Sequence, residues 1–246
     1  MQLVFDFPVN SKQGFADFVV CGGNNAAFQF ARLLAGDPLH NVLYIYGPSG
    51  SGKTHLLRAL AGSLGAGKGR ATLPYISFRE IDEIYGGDYP GEAVSKLAGR
   101  FLDEPALLVD DIHLMPDNIH VRTEFWQLFN DFYADGRKIA VTGRNPPREL
   151  PNLDDHLVSR LLWGLVARVD VSDDESLRMI MKKLAADRNV RLPAEVIDYL
   201  ICNTRRELPA LIASLESIHR YAMATKRKIT LKLAREALHS ALDGDS

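Results

Sequence analysis

The chain has 246 residues, 46% hydrophobic and 24% charged, a balance that excludes a largely disordered polymer. That length allows one large α/β domain, or one domain with a smaller appendage. Lys and Arg total 29 against 31 Asp and Glu, so the net charge of −2 lacks the basic excess of a sequence-independent nucleic-acid binder.

Cys21 and Cys202 stand far apart, and the seven histidines show no ligand spacing. Neither a disulfide framework nor a protein-bound zinc is expected, and a reducing compartment is. The opening MQLVFDFPVN lacks a basic leader region, and no apolar run is long enough to span a membrane. A cytoplasmic protein with no membrane partner is the expectation.

In chain order, helical periodicity first runs from Asn24 to Gly36, with Asn24 or Asn25 able to cap its start. NVLYIYG then reads as a buried strand ending at a glycine. KTHLLRALAGSLG is helical, LPYIS a strand, and a helix is expected around Glu92 to Leu102. ALLVDD is a strand, followed by a helix ending near Asp135 and Gly136, the strand KIAVTG, and the strand Gly164 to Val171. Five apolar strands alternating with helices predict a parallel sheet covered on both faces.

The pattern changes at Ser172. SDDE predicts a capping box with Ser172 at the cap and Glu175 three residues on. Only helical patterns follow, over Asp173 to Asp187, Pro193 to Asn203, Glu207 to Ala224 and Leu231 to Leu242. A boundary near residues 171 and 172 therefore separates an α/β base from a small helical unit.

Between the first strand and second helix stands GPSGSGKT, which fits G-x-x-x-x-G-K-[ST] in the strand–loop–helix context that motif requires. Glycines let successive N–H groups turn toward phosphate oxygens, and the helix N-terminus adds partial positive charge. Gly47, Pro48, Ser49, Gly50, Ser51, Gly52, Lys53, Thr54 and His55 form the expected nucleotide-binding stretch. Lys53 would reach the β- and γ-phosphates, and Thr54 would ligate Mg²⁺. Asp110, ending ALLVD, would hold that Mg²⁺ as a Walker B aspartate, and Asp111 would polarise the attacking water. The bland alternatives are a glycine-rich turn and an Asp pair capping a strand end. No G-x-S-x-G elbow occurs, and no cysteine has a plausible base.

FADFVVCGGNNAAFQFA, NVLYIYGPSGSGKTHLL, ALLVDDIHLM, LVSRLLWGL and RRELPALIASL together resemble the AAA+ ATPase module of the bacterial initiator DnaA family, over roughly residues 15 to 242. The resemblance implies a five-stranded P-loop base over 15–171 and a helical lid over 172–246. It also implies ADP or ATP with Mg²⁺ as cofactors. By position, Arg160 falls on the family's arginine finger, which acts on nucleotide held by a neighbouring subunit, and Arg206 on the sensor 2 arginine. Phe18, Val19, Val20 and Asn24 fall on the segment lining the adenine pocket. Trp163 reads as core only.

Departures from the initiator pattern are specific. The fourth strand runs into Thr142-Gly143-Arg144-Asn145, so Arg144 stands at the usual sensor 1 acid, which leaves that role between Arg144 and Asn145. His156 replaces the second basic residue of the arginine-finger helix. Tyr85 to Gly91, YGGDYPG, would break a helix that the initiator turns toward single-stranded DNA. The chain stops at Ser246, where the initiator continues into a DNA-reading domain.

These departures resemble the Hda-type, DnaA-related regulators, which open on a sliding-clamp-binding peptide. Gln2, Leu3, Phe5 and Phe7 look like such a peptide within residues 1–14, with apolar anchors for a preformed pocket and an amide to fix register. A strand packing on the base domain is its bland alternative.

The resemblance implies a negative regulator of replication initiation that, with the DNA polymerase sliding clamp on DNA, promotes hydrolysis of DnaA-bound ATP. DnaA and the clamp are the implied partners, with DNA reached through the clamp, weak intrinsic ATPase activity, and room for a homo-oligomer. The alternative is an initiator paralogue or helicase loader binding single-stranded DNA.

Overall fold

Apolar runs ending in glycine or aspartate become the strands of a computed structural model that describes residues 14–85, 99, 101, 103–150 and 152–243. They are β1 (Val42–Tyr46), β2 (Ile76–Ser77), β3 (Ala106–Asp110), β4 (Lys138–Gly143) and β5 (Leu165–Arg168). All pair in parallel, in the order β2-β3-β4-β1-β5, as five buried strands separated by helices predict. β1 lies inside the sheet between β4 and β5, so the loop leaving its C-terminal end is flanked by the ends of both neighbours.

Side chains alternate across the strands and divide the core in two. Val42 and Tyr44 pack with Phe125, Phe129 and Phe132 on one face, and Leu43 and Ile45 pack with Leu56, Leu60 and Leu34 on the other. The second face is covered by α1 (Asn25–Gly36) and α2 (Lys53–Ala66). The first is covered by α3 (Phe78–Tyr85), α4 (Ile119–Ala134) and α5 (Asp155–Trp163). Beyond β5, α6 (Asp174–Asp187), α7 (Ala194–Asn203), α8 (Leu208–Thr225) and α9 (Leu231–Asp243) pack around a third cluster that includes Leu177, Leu200, Leu215 and Leu233. No described helix is long and apolar enough to cross a membrane.

Several elements differ from the sequence reading. LPYIS yields only the two residues of β2, because it is an edge strand and Pro74 has no N–H to offer a ladder. The strand expected to reach Val171 stops at Arg168, after which Val169 N–H still donates to the Tyr46 carbonyl at 2.7 Å and Asp170 N–H to that of Gly23 at 2.9 Å. The cap of α6 is Asp173, not Ser172. The Asp173 carboxylate accepts from Ser176 N–H at 2.8 Å, while the Ser172 hydroxyl donates to Asp170 at 2.7 Å. One residue of shift leaves Asp174 and Glu175 in the first turn, where negative charge suits the helix dipole. The YGGDYPG break, the helix around Glu92 to Leu102 and the peptide Gln2 to Phe7 lie largely or wholly outside the described residues.

Candidate functional site

Gly47 to Gly52 connect β1 to α2, and Gly47, Gly50 and Gly52 adopt φ of 152°, 72° and 101°. A side chain at Gly47 would strike the Val169 carbonyl oxygen at 2.0 Å, so the bare backbone there is a condition of the loop's path. Lys53, only 6% exposed, donates from Nζ to the carbonyls of Gly47 at 2.9 Å and Pro48 at 2.7 Å. Burial holds its ammonium below the ordinary lysine range, against the opposing pull of Asp111 and Asp110. Ser51 Oγ is buried without a hydrogen-bond partner. The first N–H groups of α2 have no intrahelical acceptor. A buried ammonium, an unpaired hydroxyl and a helix N-terminus thus converge on one concave turn, a donor set that fits polyphosphate.

β3 carries two carboxylates to the same edge. Thr54 Oγ1 donates to Asp110 Oδ2 at 2.7 Å, so the first turn of α2 meets the end of β3. The Thr142 hydroxyl of β4 donates to Asp110 Oδ1 and accepts Asp111 N–H at 3.1 Å. Asp111 itself sits at φ 55°, a left-handed conformation unusual for a side chain other than glycine, and its carboxylate accepts from Arg79 Nε at 3.0 Å. A hydroxyl–carboxylate pair at the foot of a phosphate-type loop is the oxygen donor set that Mg²⁺ takes, so Thr54 and Asp110 fit that ion.

The segment before α1 forms one wall. Phe18 stacks on Phe28 at 5.7 Å and lies edge-on to His55 at 5.1 Å, with a ring carbon 3.1 Å from where a Gly52 Cβ would stand. Val19 and Val20 are half-buried against the α1–α2 core. Asn24 holds the N-cap position of α1, but its side chain turns back, accepting from Cys21 N–H at 2.8 Å and donating to the Val19 carbonyl at 2.9 Å. It braces the wall rather than the helix. Burial holds the His55 imidazole below its ordinary range.

From the other side, Pro209 in α8 reaches Gly50. Arg206, three residues earlier, is 62% exposed and pairs with Asp174 at 3.4 Å rather than with a group of the loop. Arg144 is exposed beyond β4, and the Asn145 carbonyl accepts from the Tyr44 hydroxyl at 2.6 Å, which pins that turn.

Arg160 is elsewhere. It lies within α5, which runs on to Trp163, with its guanidinium 4.9 Å from the Tyr133 ring and Nη1 buried without an acceptor. Trp163 is 76% exposed and is not core. Leu157 and Leu161, four apart, face inward, which puts a residue two positions beyond Leu161 on the opposite side of the helix.

The sequence alone assigns no role to Arg79, Thr142, Tyr133 or Pro209. Thr142 was within reach as the hydroxyl position in KIAVTG nearest the Asp pair of the neighbouring strand. The others depend on tertiary approach.

A family model described as the bacterial DnaA ATPase domain matches residues 9–168, and one described as the Hda lid domain matches residues 173–238. Over 236 residues the chain is 31% identical to the chromosomal replication initiator protein DnaA of Latilactobacillus sakei subsp. sakei, covering 94% of this chain and 52% of that protein. Over 238 residues it is 30% identical to that of Enterococcus faecalis, with the same two coverages, 94% and 52%. The chain thus spans about half the length of the curated relatives it matches. Among solved structures, domain III of Thermotoga maritima DnaA superposes with a TM-score of 0.79 at 28% identity, covering 95% of this chain and 98% of that one. AMPPCP-bound DnaA from Aquifex aeolicus gives 0.71 at 26% identity, over 84% of this chain and 64% of that one. The Thermotoga maritima RuvB branch migration motor, 18% identical with a TM-score of 0.66 over 89% of this chain and 69% of that one, shares the fold.

Proposed function

This chain belongs to the bacterial DnaA ATPase family, with an Hda lid domain behind its ATPase domain, and from that premise we propose that it is an adenine-nucleotide-binding regulator of replication initiation. Residues 15–171 form the nucleotide-binding base and 172–246 the lid. Gly47 to His55 bind the phosphates of ADP or ATP, with Lys53 on the β- and γ-positions and Arg206 reaching them from the lid. Phe18, Val19, Val20 and Asn24 line the adenine side. Mg²⁺, held by Thr54 and Asp110, would offset charge on the phosphoryl group. Asp111, oriented by Thr142 and Arg79, holds the attacking water, and either Arg144 or Asn145 takes the sensor 1 position.

The chain's main act, on this reading, is on a neighbour. In the cytoplasm, Gln2, Leu3, Phe5 and Phe7 engage the sliding clamp on DNA, and Arg160 is presented to ATP held by DnaA, whose hydrolysis resets initiation. One observation supports that assignment above the rest. Arg160 stacks on Tyr133 at the C-terminal end of α4, a few residues before β4 begins, whereas Gly47, Asp111 and Arg144 follow the ends of their strands. In a parallel sheet those are opposite ends of the strands, so the guanidinium serves a nucleotide other than its own.

The test is single-turnover hydrolysis of ATP preloaded on DnaA, with clamp and DNA present, with and without this chain. Faster hydrolysis only when the chain is added is expected, and an unchanged rate overturns the reading. Calorimetric titration with ADP tests the nucleotide site separately. Lys53→Ala should abolish tight binding in a folded protein, because it removes the buried cation of the phosphate turn.

A further inference from the structure

We infer that the hairpin of α8 and α9 is a docking surface for the phosphate backbone of duplex DNA. Residues 217–235 contain six basic side chains, Arg220, Lys226, Arg227, Lys228, Lys232 and Arg235, and no acidic one. Setting those six charges aside leaves the rest of a chain of net charge −2 at −8, so the positive charge is concentrated on one hairpin. All six are exposed. Arg227 alone forms an ion pair among the described residues, with Glu236 at 2.7 Å, while Arg235 lies 5.4 Å over the Tyr199 ring of α7.

The hairpin holds these charges in place. Lys226 closes α8 at φ 53°, its N–H donating to the Met223 carbonyl at 3.2 Å, and Arg227 N–H donates to that of Ala222 at 3.0 Å. Ile229 packs against the core of the C-terminal helices. Thr230 Oγ1 accepts Leu233 N–H at 3.3 Å and starts α9. The side chains therefore stand on fixed backbone, which reduces the ordering cost of binding.

A helix C-terminus attracts cations, which accounts for Lys226 to Lys228 without any ligand. It does not account for Lys232, which sits in the first turn of α9, where the helix dipole disfavours positive charge, no acidic residue shares the turn, and Glu236 one turn on is already paired with Arg227. An external anion would add to that partial offset. Six separate cations spread along two helices and their turn suit a repeating phosphate lattice more than a single carboxylate. The exposed large apolar residue of the stretch is Met223, and its tyrosine, Tyr221, is half-buried. Exposed aromatic platforms for unpaired bases are thus lacking on residues 217–235, which favours duplex over single strand.

The experiment is fluorescence anisotropy of the full chain with a short duplex of random sequence, titrated from about 50 mM salt upward. About four phosphate contacts predict a slope of log affinity against log salt near −3.6. The triple variant K226E/K228E/K232E should bind at least about tenfold more weakly, with the slope reduced by about three. The glutamine version, K226Q/K228Q/K232Q, carries the test if charge reversal impairs folding, with ADP titration and a thermal melt as controls. Unchanged affinity and slope in a folded variant overturn the inference. So does tighter wild-type binding to the single strand, to polyglutamate or to anionic vesicles.

Discussion

Gly50 and Pro209 bring the phosphate-type loop and the C-terminal helices into contact: a Cβ built on Gly50 would stand 2.4 Å from Pro209 Cγ. Gly50 also sits at φ 72°, where a side chain costs about 1–2 kcal/mol. The proline ring has no rotamer by which to withdraw, so any residue larger than glycine must displace α8 as well as strain the loop.

Gly50→Ala is therefore expected to lower the melting temperature and to weaken ADP binding about tenfold, a loss of about 1.4 kcal/mol. Pro209→Ala should restore part of both losses in the double variant, because the two sites touch and their effects do not add. Thermal melts and calorimetry on the four proteins of the cycle measure it. Strict additivity would place the whole cost in the loop backbone.

Thr142→Val tests the hydroxyl that joins the two carboxylates. Thr142 is fully buried, and its hydroxyl donates to Asp110 while accepting Asp111 N–H. Valine keeps the shape but leaves Asp111 N–H unpaired and Asp110 short of a donor, at a cost of about 1–3 kcal/mol. Denaturant unfolding should show that loss, with Thr142→Ser close to wild type. Equal stability of the valine variant would mean water replaces the hydroxyl.

How far the fold could be read from the chain depends on which forces set each element. The apolar runs of β1, β3 and β4 and the glycines of the Lys53 turn are local patterns, and the sheet follows them. Ser172 and Asp173 both suit a helix cap by type; the choice between them is made by Asp170, which takes the Ser172 hydroxyl. Trp163, in the SRLLWGL run, reads as core but is exposed, because Leu157 and Leu161 fix which face of α5 turns inward. The Asp111–Arg79 and Arg160–Tyr133 contacts join residues far apart in sequence, and no local pattern announces them.

Asp173 gives a pH-dependent prediction. Hydrogen bonding from Ser176 holds its carboxyl below the usual carboxylate range. A group whose pKa is lower in the folded state stabilises the fold above its unfolded value, near 3.9, and loses that contribution as pH falls through the folded value. Asp173→Ala should cost about 1 kcal/mol at neutral pH, as loss of an N-cap does. That difference should shrink as the pH drops below about 4, because the wild-type carboxylate is then protonated as well. Urea unfolding of both proteins across that range measures it. A difference independent of pH would mean that the cap acts without its charge.

Arg160 carries the final prediction. Its guanidinium lies over Tyr133, half-buried and with no acidic partner among the described residues, which leaves its charge to an acceptor from outside the chain. On the proposed reading that acceptor is a phosphoryl oxygen of ATP bound to DnaA. An arginine in that role spreads charge over the transferring group and is worth about a thousandfold or more in rate. Arg160→Ala should leave this chain's ADP affinity and clamp binding nearly unchanged yet remove its stimulation of DnaA-bound ATP hydrolysis. Arg160→Lys should recover little, since a lysine lacks both the planar fork and the extended face that stacks on a ring. Tyr133→Phe should keep the stimulation, because the aromatic face survives, whereas Tyr133→Leu should reduce it by freeing the guanidinium. Single-turnover hydrolysis on preloaded DnaA compares all four variants. Full stimulation by Arg160→Ala would move the catalytic arginine elsewhere on the chain, or the substrate to a protein other than DnaA.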